Sequence, residues 1–112
     1  MNLTAETRQG VTLIHVAERR IDAAVAIRFK DRMREMTEGA APRVVLDLEE
    51  VEFIDSSGLG AIVTSMKQMG EGQRLELAGL MPNVARVFRL TRMDTVFTIH
   101  GTAEEACRDH AC

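Results

Sequence analysis

The hydrophobic pattern changes period in the middle of the chain, and that change places the elements around it. Val44, Val45, Leu46 and Leu48 form a short, β-branched-rich apolar run broken only by Asp47, the pattern of a strand buried on both faces. Val51 and Phe53 then alternate with Glu50 and Glu52, and the polar stretch Asp55-Ser56-Ser57-Gly58 ends the alternation. From there Leu59, Ile62, Val63, Met66 and Met69 recur three and four apart, one face of a helix, with Gly70 as its left-handed stop. The segment from Arg43 to Gly70 reads strand, polar turn, helix.

The flanking pattern extends this unit in both directions. Leu3 to Arg8 and Val11 to Ala17 read as the strands of a hairpin turning at Gly10, with Val11, Leu13 and His15 facing one way and Thr12, Ile14 and Val16 the other. Asp22 offers an N-cap to a helix whose stripe is Val25, Phe29, Met33 and Met36 and which Gly39 ends. Arg28, Lys30, Asp31, Arg32, Arg34 and Glu35 cover its remaining surface with mixed charge, as a solvated face does. Downstream, Gln73 to Ala78 alternates Leu75 and Leu77 with polar residues and closes at Gly79. Pro82 opens a helix expected to bury Val84, Val87, Phe88 and Leu90 or Thr91, leaving Arg86 and Arg89 outside. Val96, Phe97 and Ile99 suggest a last short strand, and Thr102 with Glu105 a capping box for a terminal helix. Strands alternating with helices predict an α/β domain whose largely parallel sheet lies behind an antiparallel N-terminal hairpin.

Composition narrows the class. At 112 residues the chain is expected to be one domain, residues 1–112, large enough for a single core. A net charge of −3 and a pI near 5.6 argue against a domain that holds nucleic acid by its phosphates. No apolar run has the length of a membrane span, and the first residues lack a basic region followed by an apolar core, so a cytoplasmic location without membrane insertion is expected. Cys107 and Cys112 form no C-x-x-C, and His15, His100 and His110 are scattered, so neither a disulfide framework nor a metal or cofactor is expected.

The candidate chemistry lies at the polar turn. Ser56 and Ser57 fall at or next to the N-cap of the following helix, where the first N–H groups lack internal partners and the helix dipole favours negative charge. A serine there is either a plain cap or a carrier of phosphate, and most serines so placed are caps. Enzymatic patterns fail. A nucleophile elbow needs G-x-S-x-G, and Ile54 and Asp55 precede the serines; Gly58-Leu59-Gly60 has neither the third glycine of a dinucleotide loop nor the lysine of a P-loop. Asp22 and Asp55 are accounted for by caps and turns, whereas Asp47 inside an apolar run is not.

Phe53-Ile54-Asp55-Ser56-Ser57-Gly58-Leu59-Gly60, following the strand from Arg43 to Val51, resembles the signature of the STAS domain family, and within it the bacterial anti-sigma factor antagonists. The likeness extends to Ile21-Asp22 before the first helix, to Pro82 through Phe88, and to Thr102 through Ala106. It implies a single domain with a mixed four- to five-stranded sheet and helices mainly on one face. It further implies a binding protein that captures an anti-sigma factor serine kinase and so frees a sigma factor. Phosphorylation of the serine after the aspartate, Ser56 here, would end that capture, and a serine phosphatase would restore it. Asp22, Asp55, Ser56, Ser57, Gly58 and Leu59 are then the expected partner-binding residues. Two positions depart from the family pattern: Glu18-Arg19-Arg20 stands where a glycine is common, and Met81 where a Ser or Thr commonly caps the helix. The resemblance also admits a scaffolding STAS subunit of a signalling or transport complex in which Ser56 is only a cap.

Overall fold

The computed structural model describes residues 1–110, with side chains described through Arg108; Cys112 lies outside the described residues, as does the His110 side chain. The hairpin forms as expected. β1 (Leu3–Arg8) pairs antiparallel with β2 (Val11–Val16), Leu3 opposite Val16 and Arg8 opposite Val11. Gln9 and Gly10 both have positive φ, 54° and 78°, the two-residue turn whose twist matches a hairpin. β4 (Arg43–Asp47), β6 (Arg74–Ala78) and β7 (Ile99–His100) then add in parallel, giving the order β1-β2-β4-β6-β7. Two more strands, β3 (Arg20–Ile21) and β5 (Phe53–Ile54), form a separate parallel ladder of two residues each.

The central strands are buried on both faces because helices lie on both. α1 (Ala26–Thr37), α2 (Ser56–Lys67) and α3 (Pro82–Leu90) bring Phe29, Met33, Ile62, Val84 and Phe88 against Ile14, Val16, Val44, Leu46 and Leu77. On the opposite face α4 (Ala103–His110) lays Ala106 and Cys107 on Val11, Leu13, Val45 and Ala78. Three helices on one side and one on the other give a sheet covered mainly from one face. This is an α/β domain with a mixed five-stranded sheet.

Several local expectations are corrected. Val25, not Asp22, is the α1 N-cap; Asp22 instead closes the turn before the helix, its Oδ1 accepting the Ala24 N–H at 3.1 Å. α2 ends at Lys67 without a left-handed glycine: Gly70 is outside the positive-φ set, its N–H donates to the Gln73 side chain, and Gly72 takes the left-handed conformation. Leu90 is 72% exposed and Thr91 is exposed too, because α3 stops at Leu90 and the Thr91 hydroxyl turns back to the Val87 carbonyl. Met93–Thr95 form a 3₁₀ turn, so the last strand begins only at Ile99 and Val96 is exposed. Phe97 is buried nonetheless, edge-on to Phe88 at 6.0 Å between ring centres. Gly39 (φ 73°), Gly79 (φ 71°) and the Thr102 cap, whose hydroxyl accepts the Glu105 N–H at 3.0 Å, agree with the sequence reading. Met81 caps α3 with no side-chain hydrogen bond, as its residue type dictates.

Candidate functional site

The polar turn is built where the short β3–β5 ladder gives way to α2. Beyond the pair Ile21–Ile54 the two chains remain tied: the Asp55 N–H donates to the Ile21 carbonyl at 3.4 Å, and the Ala23 N–H donates to Asp55 Oδ2 at 3.3 Å. Asp55 Oδ1 accepts the Gly58 N–H at 2.9 Å, which makes Asp55 the N-cap of α2. One carboxylate thus caps its own helix and fastens the neighbouring turn to it.

This assigns the serines differently from a plain reading of the pattern. Ser56 and Ser57 occupy the first two helical positions, not the cap, and both are exposed. Among the described residues neither hydroxyl makes a hydrogen bond. Gly58 is buried for a steric reason, since a Cβ there would lie 1.9 Å from the Ile21 carbonyl oxygen. Gly60 is exposed and a Cβ would meet nothing, so it owes nothing to packing. Leu59 is half-buried against the main core. Asp22, Asp55, Ser56, Ser57, Gly58 and Leu59 are therefore gathered around one junction, with Asp22 and Asp55 on adjoining turns.

The two arginines of the preceding loop do not stand as free positive charge. Arg19 meets Glu52 at 3.2 Å, and that carboxylate stabilises its cation further. Arg20 donates from Nε to Asp22 Oδ2 at 3.2 Å and lies over the Phe53 ring, 4.2 Å from its centre. Asn83, in the first turn of α3, donates to the Glu52 carbonyl, anchoring the same segment from a third side.

Asp47 also acquires an account. The β2–β4 register sets His15 directly opposite it; Asp47 Oδ2 pairs with His15 Nδ1 at 3.0 Å and Oδ1 accepts the Glu49 N–H at 3.1 Å. His15 Nε2 reaches Glu50 at 2.5 Å. The hydrogen bond to Asp47, with a further one to Glu50, outweighs burial and raises the His15 pKa above 6.5. Asp22, Asp47 and Asp55 do not meet as one acidic site: Asp47 faces His15, while the other two hold backbone turns. Among the described residues His15, Asp47 and Glu49 are the one group with donors close enough to hold a cation, within 4.8 Å, and both ring nitrogens already face carboxylates. Opposed polar residues in adjoining strand patterns were the available signal for this pair.

The molecule is a small α/β domain that displays a serine without a hydrogen bond beside a turn capped by Asp55. The chain belongs to the STAS domain family, whose model matches residues 2–106. It is 33% identical over 88 residues to the anti-sigma-B factor antagonist of Listeria monocytogenes, covering 76% of this chain and 75% of that one. An anti-sigma-factor antagonist (STAS) domain protein of Planctomyces limnophilus superposes with a TM-score of 0.87 at 25% identity over 98% of each chain. The Bacillus anti-sigma factor antagonist SpoIIAA shares the fold at 20% identity. Its unphosphorylated form gives a TM-score of 0.77 over 99% of this chain and 98% of that one, and its phosphorylated form 0.69 over 99% and 100%. Among the described residues no helix is long and apolar enough to cross a membrane.

Proposed function

We propose that the protein is an anti-sigma factor antagonist that works by partner switching in the cytoplasm. Unmodified, it binds an anti-sigma factor serine kinase and so releases a sigma factor. The kinase transfers the γ-phosphoryl of ATP to Ser56 Oγ, the hydroxyl gives up its proton, and ADP and the phosphoprotein separate. A serine phosphatase hydrolyses the ester and resets the cycle. The protein is the regulated binding partner and not the enzyme, and it takes no cofactor, nucleic acid or membrane into the cycle.

The observation that carries this reading is the position of Ser56. Its hydroxyl is exposed and makes no hydrogen bond because Asp55 does the capping, so attaching a phosphate there displaces no hydrogen bond of the serine's own. The same fact weighs against the scaffold alternative, which needs Ser56 as the cap. The fold relatives support the reading further, since one of them is known in phosphorylated and unphosphorylated forms with this fold. The partner surface is proposed to comprise Asp22, Asp55, Ser56, Ser57, Gly58 and Leu59, with the exposed flank of α2. A phosphate adds about −1.5 to −2 charges there. A loss of about 2.7 kcal/mol in binding weakens a complex roughly a hundredfold.

The test is a pair of baits, Ser56→Ala and Ser56→Asp, presented to lysate of the native organism. An ATP-binding serine kinase retained by Ser56→Ala and absent from Ser56→Asp is the expected result. Identical partner sets on both baits would return the scaffold reading.

A further inference from the structure

We propose that Arg20 is the counter-ion of a phosphate on Ser56: when the serine is modified, the guanidinium leaves Asp22 and the Phe53 ring and binds the phosphoryl oxygens. The inference rests on the reading of Ser56 above and adds the residue that holds its phosphate.

The register carries the geometry. Arg20 is paired with Phe53 and Ile21 with Ile54, the isoleucines buried and the other pair facing outward. Continuing forward, Asp22 comes beside Asp55, an adjacency fixed by the Asp55 N–H on the Ile21 carbonyl and the Ala23 N–H on Asp55, and Ser56 follows. The Arg20 side chain already leans this way, for its Nε sits 3.2 Å from Asp22 Oδ2, two residues along the strand. Asp22 closes the turn whose Ala23 N–H donates to Asp55 Oδ2, and Ser56 follows Asp55 directly, so the guanidinium and the serine flank the same two linked turns.

The chemistry supplies the reason to move. Phosphorylation places about −1.5 to −2 charges next to the carboxylates of Asp22 and Asp55. A guanidinium fork pairs with phosphate oxygens in a bidentate geometry stronger than the single Nε contact it now makes. The Arg20 side chain is 60% exposed, so it can swing without disturbing the core. Its neighbours are less suited. Arg19 is held by Glu52. Lys67 lies at the far end of α2. Arg28, exposed near the start of α1, is the rival cation. If Arg20 moves, modification alters the exposed surface at Arg20, Asp22 and Phe53 as well as at Ser56.

The experiment uses the full chain with phosphoserine incorporated at position 56 during translation, so that neither kinase nor partner is involved. The second phosphate pKa, ordinarily about 6, is read by ³¹P resonance. Replacing Arg20→Gln is expected to raise it by about half a unit or more, roughly a threefold gain in proton affinity, with Arg20→Lys intermediate. In the parent, phosphorylation should shift the Phe53 ring protons as the guanidinium departs, and in Arg20→Gln it should not. Amide spectra establish that each variant keeps the fold. A phosphate titration indifferent to Arg20, or one that responds to Arg28→Gln instead, overturns the assignment. Either result leaves the partner-switching reading to its own binding test, and failure of that test leaves this contact standing.

Discussion

At the scale of single residues, three neighbours in the turn divide the labour that one serine would otherwise carry. Asp55 caps, Gly58 permits the close approach to Ile21, and Ser56 is left free. Their substitutions should therefore separate. Asp55→Ala is expected to lower stability by about 1 kcal/mol or somewhat more, since both the cap and the tie to Ala23 go. Gly58→Ala forces backbone apart and should cost about 1–3 kcal/mol. Ser56→Ala should stay within about 0.5 kcal/mol of the parent. Urea unfolding of the three variants measures all of this, and a Ser56→Ala loss as large as that of Asp55→Ala would contradict the cap assignment. The motif itself was legible in the sequence, but the division of roles was not. Asp, Ser and Ser are all acceptable N-caps, and only the backbone angles decide which one stands at the boundary.

The strands of the sheet are tied together by two ionic clusters whose contributions run in opposite directions with pH. His15 links β2 to Asp47 at the end of β4 and to Glu50 beyond it. Its folded-state pKa lies above 6.5, so its contribution is whole below that pH and is lost as pH rises through the raised value. Unfolding measured between about pH 6 and 9 should show a decline in the parent that His15→Gln lacks. Glu76, buried on β6, behaves in the opposite sense. Burial pushes its pKa up, but hydrogen bonds from Arg43 and His100 prevail and hold it at about 2. Its contribution is present above the ordinary glutamate range and lost as pH falls towards 2. Acid unfolding of Glu76→Gln should be shallower over that interval. For the first cluster the sequence offered only opposed polar residues in adjoining strand patterns, and for the second nothing. Glu76 looked like the polar half of an alternating strand, and its burial follows from α4 closing the second face, a tertiary event that a period of two does not report.

For the molecule as a whole, the long periodic segments were read correctly: the hairpin, the central strand, and the helices after Asp55 and Met81, while α1 was placed correctly but starts at Ala26, past the expected Asp22 cap. Leu90, Val96 and the late start of β7 were not, because a short helix ending in a 3₁₀ turn leaves apolar residues on a surface that their residue type alone does not reveal. A phosphate on Ser56 should leave this architecture in place. Amide shifts on modification are expected to be confined to residues 20–27 and 53–60, and a global rearrangement of the spectrum would contradict the mechanism.

The β3–β5 ladder joins chain segments more than thirty positions apart through only two residues on each side. So small a ladder cannot form on its own; it follows the closure of the whole intervening loop and the packing that surrounds it. The turn displayed at its end therefore exists only once the chain has finished folding. A partner specific for that turn would therefore find it only on copies whose whole chain had folded, and would pass over nascent or damaged ones.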